Sequence, residues 1–253
     1  MKSLTKFIQE KLTIKKNKAK NYNYFPETKE ELKDIIKKRI NQEGNECNLN
    51  DIDTSKITDM SLLFDGFNSF NGDISQWDVS NVTDMSYMFW GCEKFNKDIS
   101  KWDVSNIVDM SFMFKNCEAF NQDISKWNIS NVTDIHGMFF NCKSFNQDIS
   151  NWDVSKVSNM SYMFYECKKF NQDISKWDVS NVINIGSMFF KCINFNQDIS
   201  SWDVSGINDM NNTFYGCKSF NQDLSNWDVS NVKYKIDMFY YCPIEEKHKP
   251  KFK

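Results

Sequence analysis

The chain repeats itself every 25 residues, and nothing interrupts the register. Tryptophan recurs at Trp77, Trp102, Trp127, Trp152, Trp177, Trp202 and Trp227. Cysteine keeps the same step at Cys92, Cys117, Cys142, Cys167, Cys192, Cys217 and Cys242. A strict period of this length means one supersecondary unit stacked on copies of itself, because a lone unit cannot bury its own apolar face. Such a stack offers long surface columns rather than a single closed pocket. The expected fold is therefore an α/β repeat solenoid of about eight 25-residue coils.

One full unit runs from Phe70 to Cys92, with apolar residues at Phe70, Ile74, Trp77, Val79, Val82, Met85, Met88, Phe89 and Cys92. Trp77 and Val79 alternate around Asp78, which predicts a very short parallel strand between Ile74 and Val79. Asp84 stands where a helix N-cap belongs, and the apolar residues after it follow helical spacing. One or two turns of helix are expected there. Gly91, Gly216, Asn116 and Asn141 suit the turn that ends it. Asn48 to Phe67 already follow the pattern, with Ile52 in the tryptophan column and Phe67 in the cysteine column.

Outside the repeats, four segments are expected: a flexible basic leader over 1–25, a capping helix within 26–44, the solenoid over 45–242 and a charged tail over 243–253. In the leader, Leu4, Phe7, Ile8 and Leu12 fall at helical spacing. Thr28 and Glu31 have capping-box spacing, and Leu32, Ile35, Ile36 and Ile40 form one apolar stripe closed by Gly44. That stripe needs a surface, and the exposed end of the first coil supplies one. Pro243 and the charges after it end the array and discourage pairing along an open edge.

Charge is divided along the chain. Residues 1–44 carry 12 Lys/Arg against 6 Asp/Glu, while the remainder carries 19 against 28. An acidic body argues against a nucleic-acid groove. Arg39 is the only arginine, which removes bidentate guanidinium reading of bases or phosphates from the repeats. No apolar stretch has the make-up of a secretory signal or the length of a membrane span, and no membrane insertion is expected.

Seven cysteines at equivalent sites cannot all pair. Neighbouring coils lie about 4.8 Å apart, whereas a disulfide holds its Cβ atoms about 3.8 Å apart. They read as reduced core thiols. The tryptophan column is either a sugar-stacking platform or part of the core, and its place on the inward side of the strand favours the core. Aspartates recur at Asp73 and Asp78 and their equivalents. Each either accepts backbone N–H groups in a turn or shares a calcium ion between coils; the turn is the expected role, since neither a calcium β-roll nonapeptide nor an EF-hand loop is present. Asn71 and its six equivalents fit a hydrogen-bonded ladder.

The second aromatic column, Trp90, Phe140, Tyr165, Phe190, Tyr215 and Tyr240, is broken by Lys115. It directly follows the buried Met-Phe pair and is expected at a partly exposed edge. It is either a partner-binding face or a shelf that seals one coil to the next. His136 and His248 are the only histidines, and neither belongs to a nucleophile or carboxylate constellation. No catalytic, cofactor-binding or metal-ligating residues are assigned, and no enzyme is expected.

The recurring FNQDIS-x-WDVSNV-x-DMS-x-MF-x-x-C resembles the bacterial surface-protein repeat of the BspA-like leucine-rich-repeat group, over about 200 of the 253 residues. The segment TKEELKDIIKKRINQEGNECNLNDIDTSKITDMS also looks like the opening of such arrays. The resemblance implies a leucine-rich-repeat-like stack that binds a protein or glycoprotein at a cell surface, with no catalytic residues. The alternative is a structural spacer or rod within a surface or particle assembly.

Overall fold

Each unit closes on the next through residues 25 apart. The structure, a computed structural model, describes residues 22–252; the proposed leader helix lies outside them. Parallel bridges join Asp59 to Asp84 and continue through Asp109, Asp134, Asn159, Asn184 and Asp209 to Tyr234. One column of backbone contacts therefore runs the length of the repeats.

The helix and strand expected inside each unit do not form. Between Met85 and Cys92 the chain makes consecutive turns instead. The N–H groups of Met85, Tyr87, Phe89 and Gly91 donate to carbonyls of the next unit, those of Asp109, Ser111, Met113 and Lys115, at 3.0, 2.9, 2.9 and 2.8 Å. The intervening Met88, Trp90 and Cys92 donate to carbonyls three residues back, at 3.1, 3.0 and 2.9 Å. An α-helix capped at Asp84 would direct the Phe89 and Gly91 N–H groups to carbonyls four residues back and so remove them from the neighbouring unit. Two residues per unit take left-handed backbone conformations. One column includes Gly91, Asn116, Asn141 and Gly216; the other includes Tyr87, Phe112, Gly137 and Tyr162.

The Ile74–Val79 segment is likewise not a strand. Trp77 donates to the Ile74 carbonyl at 3.1 Å, which makes a turn. The unit that begins at Phe70 carries Asp-x-Ser three times, later units keep Asp or Asn at most of these positions, and each such side chain bends the backbone. The Asp73, Asp78 and Asp84 carboxylates accept the N–H groups of Ser75, Ser80 and Ser86 at 3.0, 3.1 and 2.8 Å. Such side-chain turns compete with extended pairing. Beyond the Asn48–Asp73 and Tyr24–Ile52 bridges at the N-terminal end, they leave one bridge per unit, at Asp84 and its equivalents.

The core is a spine of rings. Phe89, Phe114, Phe139 and Phe164 follow one another at 5.5, 5.7 and 5.8 Å with nearly parallel planes. A second phenylalanine column interleaves with it, as where Phe139 meets Phe145 at 3.9 Å. The seven tryptophans from Trp77 to Trp227 are buried, and each indole N–H is satisfied by a carbonyl of the preceding unit; Trp152 Nε1 donates to the Ile124 carbonyl at 3.1 Å. Their rings are thus core rather than a sugar platform. The cysteines behave in the same way: Cys142 Sγ donates to the Phe114 carbonyl at 2.9 Å, and all eight are free thiols. Burial pushes the thiols of Cys117, Cys142, Cys192 and Cys217 well above the ordinary range.

Polar ladders lock the outside of the turns. Asn71 Oδ1 accepts the Asn96 N–H at 2.9 Å, Asn96 does the same for Asn121, and the series continues to Asn221. Asn81 Nδ2 and its equivalents donate to the Ser55 carbonyl and its equivalents, at 2.8 Å for the first.

Helix α1, Lys29–Glu43, lies against the first unit. Thr28 Oγ1 accepts the Glu31 N–H at 3.2 Å, while the Glu31 carboxylate accepts from Glu27 N–H rather than from the cap itself. Gly44, at φ 87°, ends the helix and donates to the Ile40 carbonyl. Leu32, Ile36 and Ile40 join the core, whereas Ile35 is only partly buried. Arg39 is buried beneath this helix. It forms ion pairs with Glu43 and, at 2.8 Å, Asp51, donates to the Asn48 carbonyl at 2.9 Å, and faces the Tyr24 ring.

Two expected boundaries shift. Residues 22–25 are not leader: Tyr24 bridges to Ile52, and Asn23 donates to the Asp51 carbonyl at 2.8 Å. Nor do residues 243–252 trail away as a tail. Ile244 is buried, the short 3₁₀ turn Glu246–His248 follows, and Leu224 N–H donates to the His248 carbonyl at 2.8 Å, the place a further unit would fill.

Candidate interaction face

The aromatic column stands where two left-handed turns meet, and its rings stack on one another. Phe140 and Tyr165 lie 4.3 Å apart, Tyr165 and Phe190 4.5 Å, and Phe190 and Tyr215 4.6 Å, with interplanar angles of 2°, 2° and 12°. Tyr240 continues the row at 5.3 Å in a tilted arrangement. The four central rings are half-buried, while Trp90 and Tyr240 at the ends are 37% and 48% exposed. Ring faces are therefore spent on neighbouring rings, and the edges and tyrosine hydroxyls are left to solvent. The row both seals the units and presents a surface.

Lys115 does not interrupt the column chemically. Its ammonium lies 5.2 Å from the Trp90 ring, 4.8 Å from Phe112 and 5.3 Å from Phe140. A cation over three ring faces substitutes for the missing ring. Phe112 in turn packs edge-on against His136 at 4.5 Å and stacks with Tyr87 at 4.9 Å. His136 Nδ1 lies 2.7 Å from Asp134. This second aromatic column, half-buried at Tyr87 and Phe112 and exposed at Tyr162, is not evident from apolar periodicity, because its residues alternate with small and polar ones. Its left-handed backbone is what turns the rings outward.

Two grooves flank the row, built from the same positions of different units. The first, about 420 Å³, is lined by Asp65, Glu93 and Glu118 together with Trp90, Asn116 and Asn141. The second, about 690 Å³, is lined by Lys168, Lys191 and Lys218 with Ile193, Tyr215 and Tyr241. The face is acidic at its N-terminal end and basic at its C-terminal end. Between the grooves Glu118 pairs with Lys143, and Glu166 with Lys191 at 3.4 Å. Aligning the units would have shown this polarity, since Glu93, Glu118, Lys143, Lys168, Ile193 and Lys218 are equivalent residues.

The aspartates on the other turns take the local role. Hydrogen bonds from Ser100, Ser125, Ser150, Ser175, Ser200 and Ser225 hold Asp98, Asp123, Asp148, Asp173, Asp198 and Asp223 below the usual carboxylate range. Among the described residues, no group of three or more His, Cys, Asp or Glu side chains is placed to hold a metal ion. No helix among them is long and apolar enough to cross a membrane.

The chain belongs to the family described as "Mycoplasma protein of unknown function, DUF285", whose pattern matches residues 31–152 and again 133–250. The two matches cover the repeats and most of α1. No curated protein and no solved structure matches the chain significantly.

Proposed function

We propose that this DUF285 member is a non-enzymatic binding solenoid, akin to the BspA-like leucine-rich-repeat group, that holds a protein or glycoprotein against its aromatic lateral face. The stacked row Phe140, Tyr165, Phe190 and Tyr215 carries this reading. Partly buried aromatic residues, already ordered by their neighbours, lose little side-chain freedom when a partner docks, which is why such residues dominate binding energy. Adjacent grooves of opposite charge supply orientation. The reading assigns no catalysis and no cofactor to the chain. His136 is engaged with Asp134 and the Phe112 ring rather than with a nucleophile.

The test changes Tyr165, Phe190 and Tyr215 together to serine. Binding to a panel of purified extracellular glycoproteins and unglycosylated proteins is compared with thermal melting. A binding face predicts loss of capture by at least about 100-fold, as removal of clustered aromatic anchors does. A lowered melting temperature with unchanged capture would refute the reading and leave the row as a seal. It would also favour the alternative, a structural spacer, which the unbroken asparagine ladder supports on its own.

A further inference from the structure

The acidic and basic grooves occupy the same columns of the same face, in reverse order about the unit that carries Phe140. Asp65, Glu93 and Glu118 lie three, two and one units before it; Lys218, Lys191 and Lys168 lie three, two and one units after it. A surface whose charges invert about its own centre is complementary to itself when turned through a two-fold axis. We propose that the first partner this face fits is a second copy of the chain, docked antiparallel with the dyad at Phe140. The inference rests on the aromatic face being a binding face, and it names the occupant.

Antiparallel pairing in this register sets Glu118 directly opposite its equivalent Lys168. Asp65 and Glu93, whose in-column mates are Tyr215 and Ile193, lie opposite the units of Lys218 and Lys191 and meet them across neighbouring columns, and the symmetry makes each pair occur twice. The aromatic column obeys the same inversion. Trp90 faces Phe190, the Lys115 ammonium faces Tyr165, and Phe140 faces its own copy. Lys115 breaks the row at the position whose symmetry mate is Tyr165, whose solvent-facing hydroxyl can accept from the ammonium across the interface. Parallel pairing would instead lay acid on acid and base on base.

Several of these charges have nothing else to do. Asp65, Glu93, Lys168 and Lys218 are exposed and form no ion pair among the described residues. End-to-end association is the less suited arrangement, because α1 lies over the first unit and its Lys29 and Lys33 donate to Ser61 Oγ and the Leu62 carbonyl there. Seven units at about 4.8 Å per unit give a contact roughly 30 Å long. That length suits an interface near the lower end of the specific range, on the order of 1,000 Å². Surface pairs of this kind set register and orientation more than strength, so the dimer is expected to be weak and sensitive to salt.

Sedimentation velocity on the full chain at about 50 µM tests the proposal, first at about 0.05 M and then at about 0.5 M salt, where screening shortens the reach of charge roughly three-fold. The wild type should sediment as a dimer in low salt and shift to monomer in high salt. The pair Asp65→Lys with Glu93→Lys should be monomeric, as should the pair Lys191→Glu with Lys218→Glu. An equimolar mixture of the two should form a one-to-one dimer, because every contact is again attractive. All four changes in one chain should restore the homodimer, which only the antiparallel arrangement permits and which does not depend on either double variant folding alone. A wild type monomeric in low salt, or a four-fold variant that stays monomeric while melting like the wild type, would overturn self-pairing. Neither result touches the glycoprotein capture lost on serine substitution of the row, so the two readings fail separately.

Discussion

Gly137 occupies a position that holds Tyr, Phe, Ser or Asn in neighbouring units, all with φ between 53° and 59°. Its own φ is 59°, and the Phe112 ring lies over it. A methyl group at the ideal Cβ position would stand 2.1 Å from Cε1 and 2.3 Å from Cδ1 of that ring. Gly137→Ala therefore incurs two costs. The left-handed backbone costs an alanine about 1 kcal/mol, and displacing a ring already held against His136, Lys115 and Tyr87 costs about 1–3 kcal/mol more. The sum is about 2–4 kcal/mol. Removing the ring first should erase the second cost, so in a Phe112→Ala background the same substitution should cost only about 1 kcal/mol. Urea unfolding followed by tryptophan fluorescence measures the cycle. Hydrogen exchange at the Gly137 amide, which donates to the Ser161 carbonyl at 2.8 Å, localises the effect within a stack that can open from its ends. Equal costs in the two backgrounds would refute the placement of Phe112 over Gly137 and, with it, the ring cage around Lys115.

Three further outcomes follow from the same geometry. Under native conditions at pH 8 a thiol reagent should label Cys242 ahead of the others, since it is the one thiol that is only partly buried; denaturant without reductant should free all eight. Carboxylates held low by serine hydrogen bonds bind fewer protons in the folded chain than in the unfolded one, so their contribution is complete above the ordinary carboxylate range and is lost as pH falls below about 4; melting from pH 7 to pH 2 should show that decline, and a rise on acidification would contradict it. Arg39→Ala should cost about 1–3 kcal/mol, discounted because Glu43 and Asp51 keep contact with water, and exchange should accelerate in α1 before it does in the central units.

The period, the core and the ladders were all legible in the chain. Phe70, Ile74, Trp77, Val82, Met85, Phe89 and Cys92 read as interior from spacing and are interior. Asn71 read as a ladder and forms one. These follow from identity at fixed intervals, since identical residues stacked in register must either bury apolar surface together or satisfy one another's hydrogen bonds. The aromatic row was legible as a column but not as a stack, because whether six rings lie face to face or point apart depends on the turn beneath them. The basic and acidic grooves were written in equivalent positions, yet only the closure of each unit on the next brings residues such as Glu93 and Trp90 to one groove.

Spacing alone could not separate a helix from a pair of turns. Met85, Met88, Phe89 and Cys92 fall on one side in either conformation, so the apolar pattern is silent between them. The choice lies with the neighbouring unit. Its carbonyls claim the N–H groups of Met85, Tyr87, Phe89 and Gly91, and a backbone donor spent between units is unavailable within one. The same competition leaves the units after Asp84 with their bridge at its equivalents, because aspartates such as Asp98 and Asp103 bend the segment that alternation marks as a strand. Which residues face inward was settled by the period of the chain; the backbone that carries them was settled by where each hydrogen-bond donor finds its acceptor, and that acceptor lies 25 residues or so away.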